Sequence, residues 1–130
     1  MIVGTGVDLV EISRVESILR RWGDQFLGRV FTSSEVHYCE KFRNKGGRYA
    51  ARFAAKEAAF KALGTGWGKG IRWRDVEVIR GPEGNPNLQL GGWAADVARE
   101  LGVCRIALSL AHVNDYALAH VIFESDGPFR

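Results

Sequence analysis

Two carboxylates occupy positions where a carboxylate is unfavourable. Asp8 lies in the apolar run Gly6-Val7-Asp8-Leu9-Val10, and Glu57 lies within Arg48–Leu63, flanked by Ala54, Ala55, Ala58 and Ala59. Taking a carboxylate out of water is costly unless something pairs with it. Small neighbours would let Glu57 sit against a sheet rather than project into solvent. Two carboxylates from separate elements, with positions left open for phosphate oxygens and water, are a common Mg²⁺ arrangement. The structural alternative pairs Asp8 with Arg14 or a lysine, and Glu57 with Lys61 four residues on. Spacing leaves both readings open.

Basic residues surround Glu57: Arg48, Arg52, Lys56 and Lys61. On a helix, residues 57, 61 and 64 share a face, so Lys61 and the following Gly64-Thr65-Gly66-Trp67-Gly68-Lys69-Gly70 loop can meet whatever Glu57 binds. A glycine-rich loop lets backbone N–H groups approach phosphate, and lysine adds a point charge. An ordinary exposed helix face followed by a flexible connection would look the same. Familiar nucleotide motifs are absent: Lys69 follows Gly68 but precedes glycine, one residue short of P-loop spacing from Gly64, and Gly4-x-Gly6 is followed by Leu9 where a dinucleotide fingerprint needs glycine. His112 follows the run Leu108-Ser109-Leu110-Ala111, where a lone histidine is more often structural. His37 and His120 have no zinc-ligand spacing with Cys39 or Cys104.

The elements that must position these residues are legible in outline. Ile2 onward reads as a strand through Asp8. Ser13 can cap a helix carrying Val15, Ile18, Leu19 and Trp22, and Gly23 ends it. Thr32-Ser33-Ser34-Glu35 has capping-box form and opens another helix, which the Asn44–Gly47 stretch interrupts. Arg48–Leu63 is the clearest helix, rich in alanine and free of β-branched residues, with Gly64 at its left-handed end. Val76–Ile79 and Leu88–Leu90 form a hairpin across a Gly-Pro-rich turn, Trp93–Leu101 is helical, and Arg105–Leu110 and Tyr116–Phe123 are strands. The order predicts an α+β fold, a mainly antiparallel sheet packed against a long alanine-rich helix, not a βαβ repeat.

At 130 residues and 14.4 kDa the chain is one small domain. It is expected over residues 1–124, with 125–130 a tail expected to be disordered. Composition is ordinary for a globular protein, 46% hydrophobic and 25% charged. No apolar run approaches the roughly 20 residues of a membrane span. The start lacks a basic region before its apolar segment, and the two cysteines form no framework, so a reducing, cytoplasmic location is expected. The net charge of +3 divides into +7 over residues 1–74 and −4 over 75–130, which favours an anionic partner. A nucleic-acid module could use Arg20, Arg21, Lys41, Arg43, Lys45 and Arg48 with Trp67 or Trp73. No such motif is present, and Glu57 would have no role in it.

Together these segments resemble the holo-acyl-carrier-protein synthase family of phosphopantetheinyl transferases. Gly6-Val7-Asp8-Leu9-Val10-Glu11-Ile12-Ser13-Arg14 is similar to the family's opening pattern. The run from Arg52 through Ala55, Lys56, Glu57, Lys61, Leu63 and Gly64 to Gly66 matches its longest signature, and Leu108–His112 is similar to its third. Ala111 stands where the family usually has serine.

The resemblance implies transfer of 4′-phosphopantetheine from coenzyme A to a serine of acyl carrier protein, releasing adenosine 3′,5′-bisphosphate. It implies Mg²⁺ bound by Asp8 and Glu57 together with the pyrophosphate, with Glu57 and Lys61 catalytic. Coenzyme A contacts fall to Arg48, Arg52, Lys61, Gly64, Thr65, Gly66 and His112. The proton acceptor stays open among Glu57, a metal-bound water and Lys61. Arg14, Arg20 and Arg21 on the first helix suit an acidic carrier protein. Family likeness also implies a homotrimer with sites between subunits, and no nucleic acid.

Overall fold

The computed structural model describes residues 1–64, 70 and 72–127. Strand β1 (Ile2–Glu11) pairs antiparallel with β5 (Tyr116–Glu124), which pairs antiparallel with β4 (Arg105–Val113), giving the order β1-β5-β4. A separate hairpin joins β2 (Val76–Arg80) to β3 (Pro86–Leu90). Helices α1 (Ile12–Trp22), α2 (Asp24–Val30) and α3 (Ser33–Cys39) lead into the long α4 (Lys45–Leu63), and α5 (Gly92–Leu101) precedes β4. This is the α+β arrangement that the sequence predicts.

Helix α4 lies on one face of the three-stranded sheet, where Ala117, Ala119, Val121 and Phe123 of β5 are fully buried. Glycine and alanine make the approach close. A Cβ added at Gly6 would sit 1.9 Å from the Ala58 carbonyl oxygen, and one at Gly4 would sit 2.2 Å from that of Ala62. The helix backbone therefore rests almost directly on β1, which brings short carboxylates on the two elements within reach of each other. The opposite sheet face is uncovered: Val7, Leu9, Val113, Tyr116 and Leu118 lie exposed there beside the polar Thr5, Ser109 and His120.

Several expected boundaries shift. β1 runs on to Glu11 and passes straight into α1, so Ser13 lies inside the helix and makes no cap; the Ile12 N–H instead donates to the Asp115 carbonyl. Asn44–Gly47 does not interrupt but opens α4, because the Asn44 side chain accepts from the Gly47 N–H and Gly46 leaves room for the Glu16 side chain. The capping box forms as read, the Thr32 hydroxyl accepting from the Glu35 N–H and the Glu35 carboxylate from the Thr32 N–H. Gly23, Gly64 and Gly102 end their helices, all at positive φ. Ser125, just past β5, is buried and exchanges backbone hydrogen bonds with Met1.

Lys56, which the sequence offered either to the basic set around Glu57 or to an exposed helix face, is wholly buried. Its ammonium meets Glu35 at 2.9 Å, with both side chains at 0% exposure, and donates to the Val76 and Trp73 carbonyls. Glu35 also accepts from the Val78 N–H at 2.7 Å. This pair ties α3 and β2 to α4 and fixes the short turn at Trp73, whose ring stacks on Phe53 at 5.0 Å.

Candidate active site

Asp8 and Glu57 are brought together, as their sequence contexts suggested. They share a cleft of about 650 Å³ whose other walls include Arg14, Phe53, Trp73 and Tyr116. Asp8 comes from β1 and Glu57 from the α4 turn above it, with Phe53 one turn earlier on the same helix face. Lys61, the next turn along, does not pair with Glu57: its Nζ donates to Asp8 Oδ1 at 2.9 Å and to the Val7 carbonyl at 2.9 Å. Asp8 Oδ2 is buried with no hydrogen-bond partner.

That arrangement has an electrostatic signature. Burial, then the neighbouring Asp8 carboxylate, raises the Glu57 pKa, while Lys61 and Arg14 oppose the rise. Two carboxylates are thus crowded together, and Lys61 and Arg14 do not offset the combined effect of burial and mutual repulsion on Glu57. Among the described residues no third His, Cys, Asp or Glu joins them.

Arg48, Arg52 and His112 collect elsewhere, in a second cleft of about 380 Å³ bounded also by Tyr38, Arg80 and the Gly84–Pro86 turn. Arg52 is only 5% exposed, and the Nε atoms of Arg48 and Arg52 are buried without a hydrogen-bond partner. Helical geometry explains the separation, since residues 52 and 57 differ by about 140° around α4. The sheet repeats it: Asp8 and His112 lie on β1 and β4, with β5 between, about 10 Å of sheet. One chain therefore carries a carboxylate cleft and an arginine cleft on different flanks of one helix. Gly64 caps α4 and is exposed; Thr65 and Gly66, expected to hold phosphate, lie outside the described residues.

Of the first-helix arginines, Arg14 lines the carboxylate cleft, while Arg21 packs over Trp22 at 5.4 Å at the far end of α1. Tyr38 and Arg80 were not singled out as site residues from the sequence, and Trp73 only as part of the nucleic-acid alternative. Each reaches a cleft from an element distant in the chain, and no local spacing marks them.

The fold and motifs match known proteins. The profile of the 4′-phosphopantetheinyl transferase superfamily (ACPS) covers residues 4–121. The holo-[acyl-carrier-protein] synthase of Solibacter usitatus (strain Ellin6076) is 53% identical over 96% of this chain and 100% of that protein. That of Koribacter versatilis (strain Ellin345) is 51% identical over 95% and 99%. Among solved structures, the holo-[acyl-carrier-protein] synthase of Neisseria meningitidis superposes with a TM-score of 0.87 at 32% identity, covering 96% of this chain and 100% of its own. The Helicobacter pylori enzyme in complex with coenzyme A gives 0.81 at 29% identity, over 92% and 99%. The chain belongs to the 4′-phosphopantetheinyl transferase superfamily, among its holo-[acyl-carrier-protein] synthases.

Proposed function

We propose that the chain transfers 4′-phosphopantetheine from coenzyme A to a serine of apo acyl carrier protein, with Mg²⁺ at Asp8 and Glu57, and releases adenosine 3′,5′-bisphosphate. The observation that carries this reading is the crowded carboxylate pair, with Asp8 Oδ2 buried and unpartnered beside a Glu57 whose pKa is raised. Such a pair fits a hard cation that takes its remaining ligands from water and pyrophosphate oxygens. When bound, Mg²⁺ supplies neutralisation of charge on the pyrophosphate.

The chain's own residues do the rest. In the reaction the carrier serine Oγ bonds to the β-phosphorus, the bond from that phosphorus to the bridging oxygen breaks, and the bisphosphate leaves with that oxygen. The serine proton is lost to a base. Lys61, fixed over Asp8, places positive charge beside the oxygens that gain charge in the transition state. Phe53 and Trp73 wall the cleft with stacked rings and keep water from its apolar side. Glu57, whose pKa burial and the neighbouring Asp8 carboxylate raise, is the group assigned to receive the serine proton.

Coenzyme A carries more phosphate than the carboxylate cleft accounts for. The unpaired Arg48 and Arg52 with His112 suit the remainder, as do Gly64, Thr65 and Gly66 by family likeness. Because these two clefts face different flanks of α4, the reading requires the carboxylate cleft of one protomer to meet the arginine cleft of a second. The exposed face of β1, β5 and β4 offers the contact, in a homotrimer. Arg14, Arg20 and Arg21 receive the acidic carrier protein in the cytoplasm, in fatty acid synthesis.

The test is mass spectrometry of apo carrier protein incubated with the enzyme, coenzyme A and Mg²⁺. A gain of one phosphopantetheine is expected, with loss of activity in Asp8→Asn and Glu57→Gln. Mg²⁺ should also raise the thermal midpoint of the wild type and not of Asp8→Asn. No mass gain in the wild type would refute the reading, and an unchanged Mg²⁺ response in Asp8→Asn would remove Asp8 from the metal site.

A further inference from the structure

The arginine cleft holds three guanidiniums, those of Arg48, Arg52 and Arg80, and no carboxylate lines it. Among the described residues none of the three forms an ion pair. Like charges gathered without counter-charge repel, so something else must hold them.

Aromatic rings do so. The Tyr38 ring centre lies 4.3 Å from the Arg52 guanidinium carbon and 4.9 Å from that of Arg80, and the Tyr38 hydroxyl accepts a hydrogen bond from Arg80 Nη1. Phe42 packs on Tyr38 at 5.0 Å and takes Arg48 at 4.0 Å. A ring face attracts a guanidinium through its quadrupole without neutralising it, and leaves most of its N–H donors free. The second feature is the turn after β2. Gly84 has φ +85°, and a Cβ there would lie 2.9 Å from Arg80 Nη2, so the guanidinium packs closely against this turn at the cleft rim. Buried Arg52, its Nε unsatisfied, forms the floor.

We infer that Tyr38 is a positioning residue that holds Arg52 and Arg80 as a preformed guanidinium pair, and that Arg80 binds a phosphomonoester together with Arg52. The inference rests on the reading of this cleft as part of the coenzyme A site. Coenzyme A has one phosphomonoester, its 3′-phosphate, and the pyrophosphate is already assigned to Asp8 and Glu57. A dianion with three terminal oxygens matches forked donors approaching from two directions. Holding those donors before binding removes an ordering cost that flexible surface arginines would incur.

Steady-state kinetics with coenzyme A, and with dephospho-coenzyme A as the probe lacking the 3′-phosphate, test this. Arg80→Gln should raise the KM for coenzyme A by about 10-fold, the effect of one lost charge-assisted bond. Tyr38→Leu should raise it about 5-fold, and Tyr38→Phe, which keeps the ring, should recover most of that loss. kcat, the KM for carrier protein and all values with dephospho-coenzyme A should stay near wild type. Arg80 is exposed, so its variant reports on binding even if Tyr38→Leu lowers the thermal midpoint. Unchanged KM in Arg80→Gln and Tyr38→Leu, with a raised KM in Arg52→Gln, would overturn the inference and keep the cleft's assignment. An unchanged KM in Arg52→Gln as well would overturn both. Equal losses with the two coenzymes would refute the phosphomonoester, and equal losses in Tyr38→Leu and Tyr38→Phe would refute the role of the ring.

Discussion

Removing the Glu35 carboxylate should unfold this protein far more readily than a single surface change could. The Lys56 ammonium and the Glu35 carboxylate meet at 2.9 Å with both side chains at 0% exposure. Glu35→Gln preserves shape and leaves the ammonium buried without its paired counter-charge, with only the weaker field of Glu77 to compensate, which costs about 3–5 kcal/mol. An unfolding entropy of about 2.1 cal/mol/K per residue gives about 0.27 kcal/mol/K for a chain this long, so the midpoint should fall by about 15 °C. Adding Lys56→Met removes the stranded charge and should restore more than half of the loss, although Met cannot donate to the Val76 carbonyl. Burial lowers the Lys56 pKa, and Glu35 is the main group opposing that fall. The folded state then sheds the proton at a lower pH than the unfolded chain, so stability rises with pH between the two values. Without Glu35 that window widens, and the Glu35→Gln deficit should shrink as pH is raised from 7 towards 10. Urea unfolding of the wild type, both single variants and the double variant across this range provides the measurement. Additive losses that do not change with pH would refute the reasoning and leave Glu35 as only a cap and packing residue.

Lys61→Met should lower kcat by a factor on the order of 10² by removing fixed charge near the transferring phosphorus; a change confined to the KM for coenzyme A would make Lys61 a uniform binder. Gly6→Ala forces its Cβ into the Ala58 carbonyl, so it should cost more than about 2 kcal/mol in urea unfolding, at the upper end of overpacking effects. A near-neutral result would mean that α4 can ride higher on β1. Reversing Arg14 and Arg21 to glutamate should raise the KM for carrier protein and flatten its salt dependence. Equal losses for coenzyme A would show the charge acting within the coenzyme site.

What could be read from the sequence was local. Thr32 and Glu35 reveal their capping box because both partners lie within four residues, and Gly23, Gly64 and Gly102 mark helix ends because left-handed backbone favours glycine. Asp8 and Glu57 stood out because each is a charge in an apolar context. Glu35–Lys56 did not, because its partners are far apart in the chain and Lys56 sits among Arg48, Arg52 and Lys61 like another solvated cation. The same reason hides Tyr38, Arg80 and the place of Trp73 in the carboxylate cleft: a ring stacked on a guanidinium or on another ring across elements has no periodicity. Lys61 shows the limit within one helix, since its spacing from Glu57 suits an ion pair, yet it turns to Asp8 on the neighbouring strand.

The division of the site follows from how tightly α4 rests on the sheet. Glycine on β1 and alanine on α4 leave no gap between them, so ligand can reach the helix only from its flanks. A helix places residues 53, 57 and 61 along one flank and 48 and 52 along the other, and the chain uses both. Carboxylates gather on the side where β1 offers Asp8, while arginines gather where β4 and the β2–β3 turn offer His112, Arg80 and Gly84. Neither cleft alone balances a ligand with a pyrophosphate and a phosphomonoester. The first sets Asp8, Glu11 and Glu57 against only Arg14 and Lys61, and the second lacks any carboxylate for its three guanidiniums. Their charge imbalances are complementary, and the uncovered sheet face lies beside β1. Under the proposed function, a second copy placed there would let one extended anion reach both clefts.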